Sequence, residues 1–167
     1  MTVNGKTNIV LYALFTNFEI MADSRKSNIY FFFEKGTKLE KRASLKKFIQ
    51  GIFKREGREL KSLNIIFCSD DYLRSINWDY LKHDYYTDIV TFELSDGKDP
   101  IEGEIYVSVD RVIENASTFG VPRVKELHRV IIHGVLHLCG YKDKTTANKN
   151  QMAALEDHYL SSLKCFT

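Results

Sequence analysis

The stretch from Glu126 to Asp143 constrains the chain more than any other. Its apolar residues recur at helical spacing from Leu127 to Leu138 and Gly140 follows, which predicts a mostly buried helix ending in a left-handed turn. His133 and His137 stand one turn apart, about 40° from each other around the helix, so two imidazoles can reach one ion. Beyond Gly140 the chain turns back, and Asp143 can offer an oxygen to the same point. A histidine pair alone is more often core or surface; the glycine and carboxylate at these offsets favour ligation. Three protein ligands leave a fourth position for water, the catalytic arrangement of zinc, whereas structural sites are closed by four. His128 falls about 180° from His137 and Cys139 about 160° from it, so neither can share the site, and Cys139 reads as a small buried hydrophobe.

A chain of 167 residues, 44% hydrophobic and 28% charged, has the size and composition of one soluble globular domain. Three cysteines, Cys68, Cys139 and Cys165, form no disulfide framework and read as free thiols in a reducing compartment. No apolar run approaches the ~20 residues of a membrane span, so a cytoplasmic protein is expected. Ile9 to Phe15 is too short and lacks the cleavage site of a signal peptide. Residues 1–24 are therefore expected to be an extension outside the core fold, poorly packed or adding an edge strand, with the domain proper at 25–167.

Ile29 to Phe33 predicts a strand covered on both faces. Leu45, Phe48, Ile49, Ile52 and Phe53 define a core-facing helix, with Ser44 as its cap and Gly57 as its stop. Leu63 to Cys68 is a second strand, and Ser69 caps a helix with Asp70 and Asp71 in its first turn. Asp88 to Leu94 and Glu104 to Val109 are strands joined through an Asp96-Gly97 turn, hence antiparallel neighbours. Asp110 to Phe119 predicts a helix, Pro122 opens the histidine-bearing one, and Leu155 to Leu163 closes the chain. These elements give an α+β domain with a mixed four-stranded sheet packed by helices, its metal site on a helix and the following loop.

Charge is segregated. Lys35 to Lys61 holds ten Lys or Arg against Glu40, Glu56 and Glu59, a net of +7 in a chain of +2. Such a one-sided field attracts a polyanion, RNA foremost, although a basic stretch can equally be a solvated helix face.

The histidine stretch resembles the signature of the YbeY family, whose motif runs His-Gly-x-Leu-His-Leu-x-Gly-Tyr-Asp-His. This chain has His133, Gly134, Leu136, His137, Leu138, Gly140 and Tyr141 in those places. Lys142 stands where the motif has aspartate, and Asp143 where it has the third metal-binding histidine. Asn77 to Phe92 is similar to a second family segment, with Leu81 in place of its arginine and Tyr86 in place of its proline. The lost arginine would be the natural phosphate clamp. Gly103 to Ser108 is similar to a third segment. The resemblance covers roughly residues 28–160. It implies a metal-dependent, single-strand-specific endoribonuclease acting in 16S rRNA 3′-end maturation and ribosome quality control, with rRNA and the small ribosomal subunit as partners.

Under that reading one divalent ion, Zn²⁺ foremost, is held by His133, His137 and Asp143. The harder carboxylate lowers the preference for zinc over manganese or iron. Glu104 and Asp88 are candidate general bases, each equally readable as an ordinary solvated or capping carboxylate. Two other functions compete. The ligand spacing also fits metzincin-like metalloproteases, but those need a glutamate directly after the first histidine, where this chain has Gly134. A catalytically weak ribosome assembly factor is the other. His83 reads as a surface or loop residue, and His158 as an exposed one that could stand in for the missing third histidine. Trp78, Tyr80, Tyr85 and Tyr86 are expected to fill core, with base stacking as the alternative.

Overall fold

A computed structural model of the chain describes residues 18–20, 28–34, 38–97 and 100–163. In chain order the elements are β1 (Phe18–Ile20), β2 (Ile29–Glu34), α1 (Arg42–Arg55), β3 (Leu60–Cys68), α2 (Asp70–Leu81), β4 (Ile89–Glu93), β5 (Ile101–Ser108), α3 (Val109–Phe119), α4 (Arg123–Leu138) and α5 (Thr146–Ser162). The four expected strands form one mixed sheet packed by helices, the α+β architecture read from the sequence. β2 and β5 flank β3 in parallel, and β4 runs antiparallel to β5, as their short link requires. β1 adds a short antiparallel edge strand beside β2, so the order is β1-β2-β3-β5-β4. The rest of the expected extension, residues 1–17 and 21–24, lies outside the described residues, as do Lys35 and Cys165.

Strand alternation sends side chains to two cores. Ile29, Phe31, Phe33, Leu63, Ile65, Phe67, Ile105 and Val107 face a large cluster completed by α1, α4 and α5. On the opposite face Ile66, Cys68, Val90, Phe92 and Tyr106 pack against Leu73 and Ile76 of α2. α4 lies close on the sheet because two glycines permit it. A Cβ at Gly134 would sit 2.6 Å from Ile89 Cδ1 and 3.0 Å from Ile105 Cγ2, and one at Gly103 would sit 2.8 Å from Leu138 Cδ1. In an ordinary helix interior alanine is better than glycine by about 1 kcal/mol. Here overpacking costs about 1–3 kcal/mol, so Gly134→Ala is expected to lower stability by a net ~1 kcal/mol. A urea midpoint at or above that of the parent chain would show that this contact is loose.

The structure corrects four local expectations. β2 is not covered on both faces: Ile29, Phe31 and Phe33 are buried, but Tyr30 is exposed and Phe32 half-buried, because the α2 cluster reaches only Phe32 on that side. α1 begins at Arg42 after Lys41, whose φ of 47° makes the turn, so Ser44 lies inside the helix and caps nothing; Gly57, at φ 66°, does end it. Ser69 occupies the cap of α2 without a side-chain bond; its N–H donates to Glu34 Oε2 at 2.6 Å and that of Asp70 to Asp110 Oδ2 at 2.9 Å. α5 starts nine residues before Leu155 because Thr145 Oγ1 accepts from the Asn148 N–H, while its first two turns bury only Met152 and so carry no apolar period. No helix among the described residues is long and apolar enough to cross a membrane.

Candidate metal centre

α4 carries His133 and His137 on one face, one turn before its end. There the Gly140 N–H bonds His137 O and the Tyr141 N–H bonds Leu136 O, with Gly140 at φ 102°, a value open to glycine and strained for other residues. The reversal brings Asp143 back over the helix end. His133, His137 and Asp143 form a cluster whose ligand atoms all lie within 4.8 Å of one another. The two Nε2 atoms are 3.0 Å apart, and Asp143 Oδ2 is 3.9 Å from that of His133 and 3.8 Å from that of His137.

The outer ring nitrogens decide what those atoms present. His133 Nδ1 lies 2.7 Å from Glu156 Oε1, and His137 Nδ1 lies 3.0 Å from the Tyr141 carbonyl. Both partners are acceptors, so each imidazole donates its Nδ1 proton outward and turns an Nε2 lone pair inward. Burial, then the neighbouring His133, pushes the His137 pKa down and keeps that ring neutral. Two lone pairs and a carboxylate facing one another repel unless a cation joins them. The triangle with sides 3.0, 3.8 and 3.9 Å has a centre about 2.1 Å from each atom, the length of a zinc–imidazole or zinc–carboxylate bond. The donor set therefore fits a divalent ion.

Support for this triad comes from residues that the sequence reading missed. Burial raises the Glu156 pKa, but the His133 hydrogen bond, with the charge and hydrogen bond of Arg129, outweighs it and holds the carboxyl below its usual range. Arg129 grips Glu126 with two bonds of 2.7 and 2.9 Å and reaches Glu156 Oε2 at 3.2 Å and Asp88 Oδ2 at 3.3 Å. On the other side Tyr141 Oη donates to Glu56 Oε2 at 2.8 Å, and Tyr159 Oη donates to Glu56 Oε1. Glu56 caps the end of basic α1, so the turn that orients His137 is tied to that helix. No spacing rule links Glu56, His133 and Glu156; only the fold brings them together.

The cluster opens into a cavity of about 480 Å³. It is lined also by Asn77, Leu81, His83, Tyr85, Asp88 and Lys144. Asp88 is thus beside the site. Glu104 is not: strand alternation turns it to the α2 face, where it is buried, accepts from Tyr106 Oη at 2.8 Å and Asn64 Nδ2 at 3.3 Å, and has its pKa pushed up chiefly by burial. His83, expected to be a surface or loop residue, lies in the loop after α2, half-buried and lining the cavity. His158 is exposed on α5 and stays outside the cluster. The expected core aromatics are exposed, Trp78 by 52% and Tyr85 by 56%, because they sit on α2 and its trailing loop; Tyr80, also exposed, meets the sheet through one edge-on contact with Phe92. Of the basic stretch, Lys38, Lys41, Lys47, Lys54, Arg55 and Lys61 are exposed, whereas Lys46 is buried with its Nζ 5.7 Å from the Phe31 ring. Cys68 is buried and free, and burial pushes its thiol pKa up.

His128 is buried on the opposite side of α4, and burial pushes its pKa from 6.5 down to about 4. In the unfolded chain it protonates near pH 6.5, whereas in the fold it stays neutral. Stability present above pH 6.5 is therefore lost as pH falls toward 4, by up to about 3 kcal/mol. Urea unfolding between pH 7 and 4 is expected to show this loss, and His128→Gln is expected to flatten it; parallel pH curves for the two proteins would contradict the assignment.

A family model described as Endoribonuclease YbeY matches residues 32–164. The chain belongs to the YbeY family. The endoribonuclease YbeY of Cytophaga hutchinsonii is 49% identical over 141 residues, covering 83% of this chain and 99% of that protein. That of Amoebophilus asiaticus is 42% identical, covering 81% of this chain and 92% of its own. A solution structure of a Thermotoga maritima protein is 32% identical with a TM-score of 0.58, covering 80% of this chain and 87% of that one. The YbeY resemblance read from the histidine stretch is thereby established across most of the chain. The competing metalloprotease needs a glutamate at position 134, and there even a Cβ would strike Ile89 and Ile105.

Proposed function

We propose that this chain is a metal-dependent, single-strand-specific endoribonuclease that acts in the cytoplasm on 16S rRNA 3′-end maturation and in ribosome quality control, with the small ribosomal subunit as partner. The observation that carries the reading is the convergence of His133, His137 and Asp143 on one bonding distance inside a family whose members are named endoribonucleases. One divalent ion is held there, zinc foremost, and residues 1–24 form an N-terminal extension, of which Phe18–Ile20 adds an edge strand to the sheet of the catalytic domain. The ion's chemistry is to lower the pKa of a water toward ~7 and to polarise a phosphoryl oxygen.

The chain's own residues supply the rest. Glu156 and the Tyr141 carbonyl fix both imidazoles by their outer nitrogens. Asp88, which lines the cavity and is held by Arg129, is the carboxylate that would accept a proton from the attacking water. Lys144, which lines the cavity, would pair with the phosphate in place of the arginine that Leu81 replaces. Exposed Lys54 and Arg55 at the end of α1, next to Glu56, draw the RNA backbone toward the turn that Glu56 anchors. The test is incubation of purified protein with single-stranded ribosomal RNA, with and without a chelator. Cleavage is expected to stop on chelation and return with added Zn²⁺ or Mn²⁺. Cleavage indifferent to the chelator would refute the mechanism, and no cleavage with any divalent ion would leave the assembly-factor reading.

A further inference from the structure

We infer that Tyr85 is the residue that selects unpaired RNA, by stacking one extruded base at the mouth of the metal cavity; this rests on the endoribonuclease reading above. Four rings are exposed on α2 and its trailing loop, and their surroundings differ; Tyr80 does not line the cavity and meets the Phe92 ring edge-on, with centroids 5.5 Å apart. Tyr86 is covered by two guanidinium groups, Arg74 and Arg111, each 5.0 Å from its centroid. Trp78 carries the Lys82 ammonium at 5.9 Å and does not line the cavity. Tyr85 lines it, is 56% exposed, and is built into place. Its ring lies on His83 with centroids 5.3 Å apart and 23° between planes, and its hydroxyl is 3.2 Å from His83 Nδ1. Its carbonyl accepts from Asn77 Nδ2 at 3.1 Å, and Asn77 is buried.

A large aromatic fixed in this way, with one face on another ring, offers a stacking surface whose ordering is already complete before a ligand arrives. The same cavity is also lined by the three ligand groups and Lys144, which suit a phosphate. A volume of about 480 Å³ accommodates a nucleotide spanning the ring and these groups. A base inside an A-form duplex is stacked on its neighbours and cannot reach the ring, so the platform discriminates by strandedness and not by sequence.

The experiment is fluorescence anisotropy at fixed salt on chelator-treated full chain, using a 12-nucleotide single-stranded RNA, the same length of duplex RNA and a 12-residue abasic ribose-phosphate chain. Tyr85→Ala is expected to weaken single-strand binding at least about 5-fold while leaving duplex and abasic affinities unchanged. Tyr85→Phe, which keeps the ring, is expected to rescue binding, and Trp78→Ala to leave it as it was. Equal single-strand affinity for Tyr85→Ala and the parent chain would overturn the inference, as would a matching loss on the abasic chain. If the parent chain still cleaves RNA in those cases, only the stacking role fails; if it neither binds nor cleaves RNA, the endoribonuclease reading falls with it.

Discussion

Replacing His137 by alanine is expected to lower cleavage of single-stranded RNA by at least about 10³-fold, the loss of several kcal/mol of charge stabilisation at the phosphate. His137 is buried and its Nδ1 is already committed to the Tyr141 carbonyl, so its only free function is at Nε2, where His133 and Asp143 converge. The fold does not depend on it, because the buried apolar residues of α4 on the sheet side, Ile131, Val135 and Leu138 among them, are untouched. The kinetic assay is therefore to be paired with thermal unfolding without added metal. A variant that unfolds like its parent but retains more than a tenth of its activity would contradict the assignment.

Glu156→Gln is expected to weaken divalent-ion binding about 10- to 100-fold without touching a ligand. The carboxylate accepts a hydrogen bond from His133 Nδ1 at 2.7 Å and is itself held by Arg129 at 3.2 Å. The amide is nearly isosteric but neutral. It keeps the ring in place while removing the charge that makes the imidazole a better donor, so affinity falls and the fold is retained. Glu156→Ala goes further, since Arg129 then loses one of the carboxylates that balance it, and a drop in unfolding temperature is expected beside the loss of affinity. Isothermal titration with Zn²⁺ separates the two effects. Unchanged affinity in Glu156→Gln would mean that the contact is only structural.

The cluster of His133, His137 and Asp143 is legible because its three members obey local rules: a helical turn separates the histidines, and glycine reverses the chain before Asp143. The sheet was legible for the same reason, since β-branched and aromatic runs alternate with helical periods. What escaped the sequence is what depends on distance in the chain. Glu156 lies in a helix whose first half has almost no apolar period, so nothing marked it as buried or aimed at His133. Glu104, in contrast, sits in a segment that resembles the family, and only the alternation of β5 reveals that it faces away from the histidines. Aromatic residues near a strand were read as core, yet Tyr85 belongs to a loop whose geometry the sequence could not supply. The basic stretch, which predicts a one-sided charged field, is not uniformly exposed, because Lys46 is buried with its ammonium over the Phe31 ring.

The central claim is that two imidazoles and one aspartate bind a single ion. Anomalous diffraction from crystals of the full chain grown with Zn²⁺ or Mn²⁺ tests it directly. One peak is predicted about 2.0–2.2 Å from His133 Nε2, His137 Nε2 and an Asp143 carboxylate oxygen. A peak held by His158 with Asp143 turned away, or no peak between the two histidines, would contradict it.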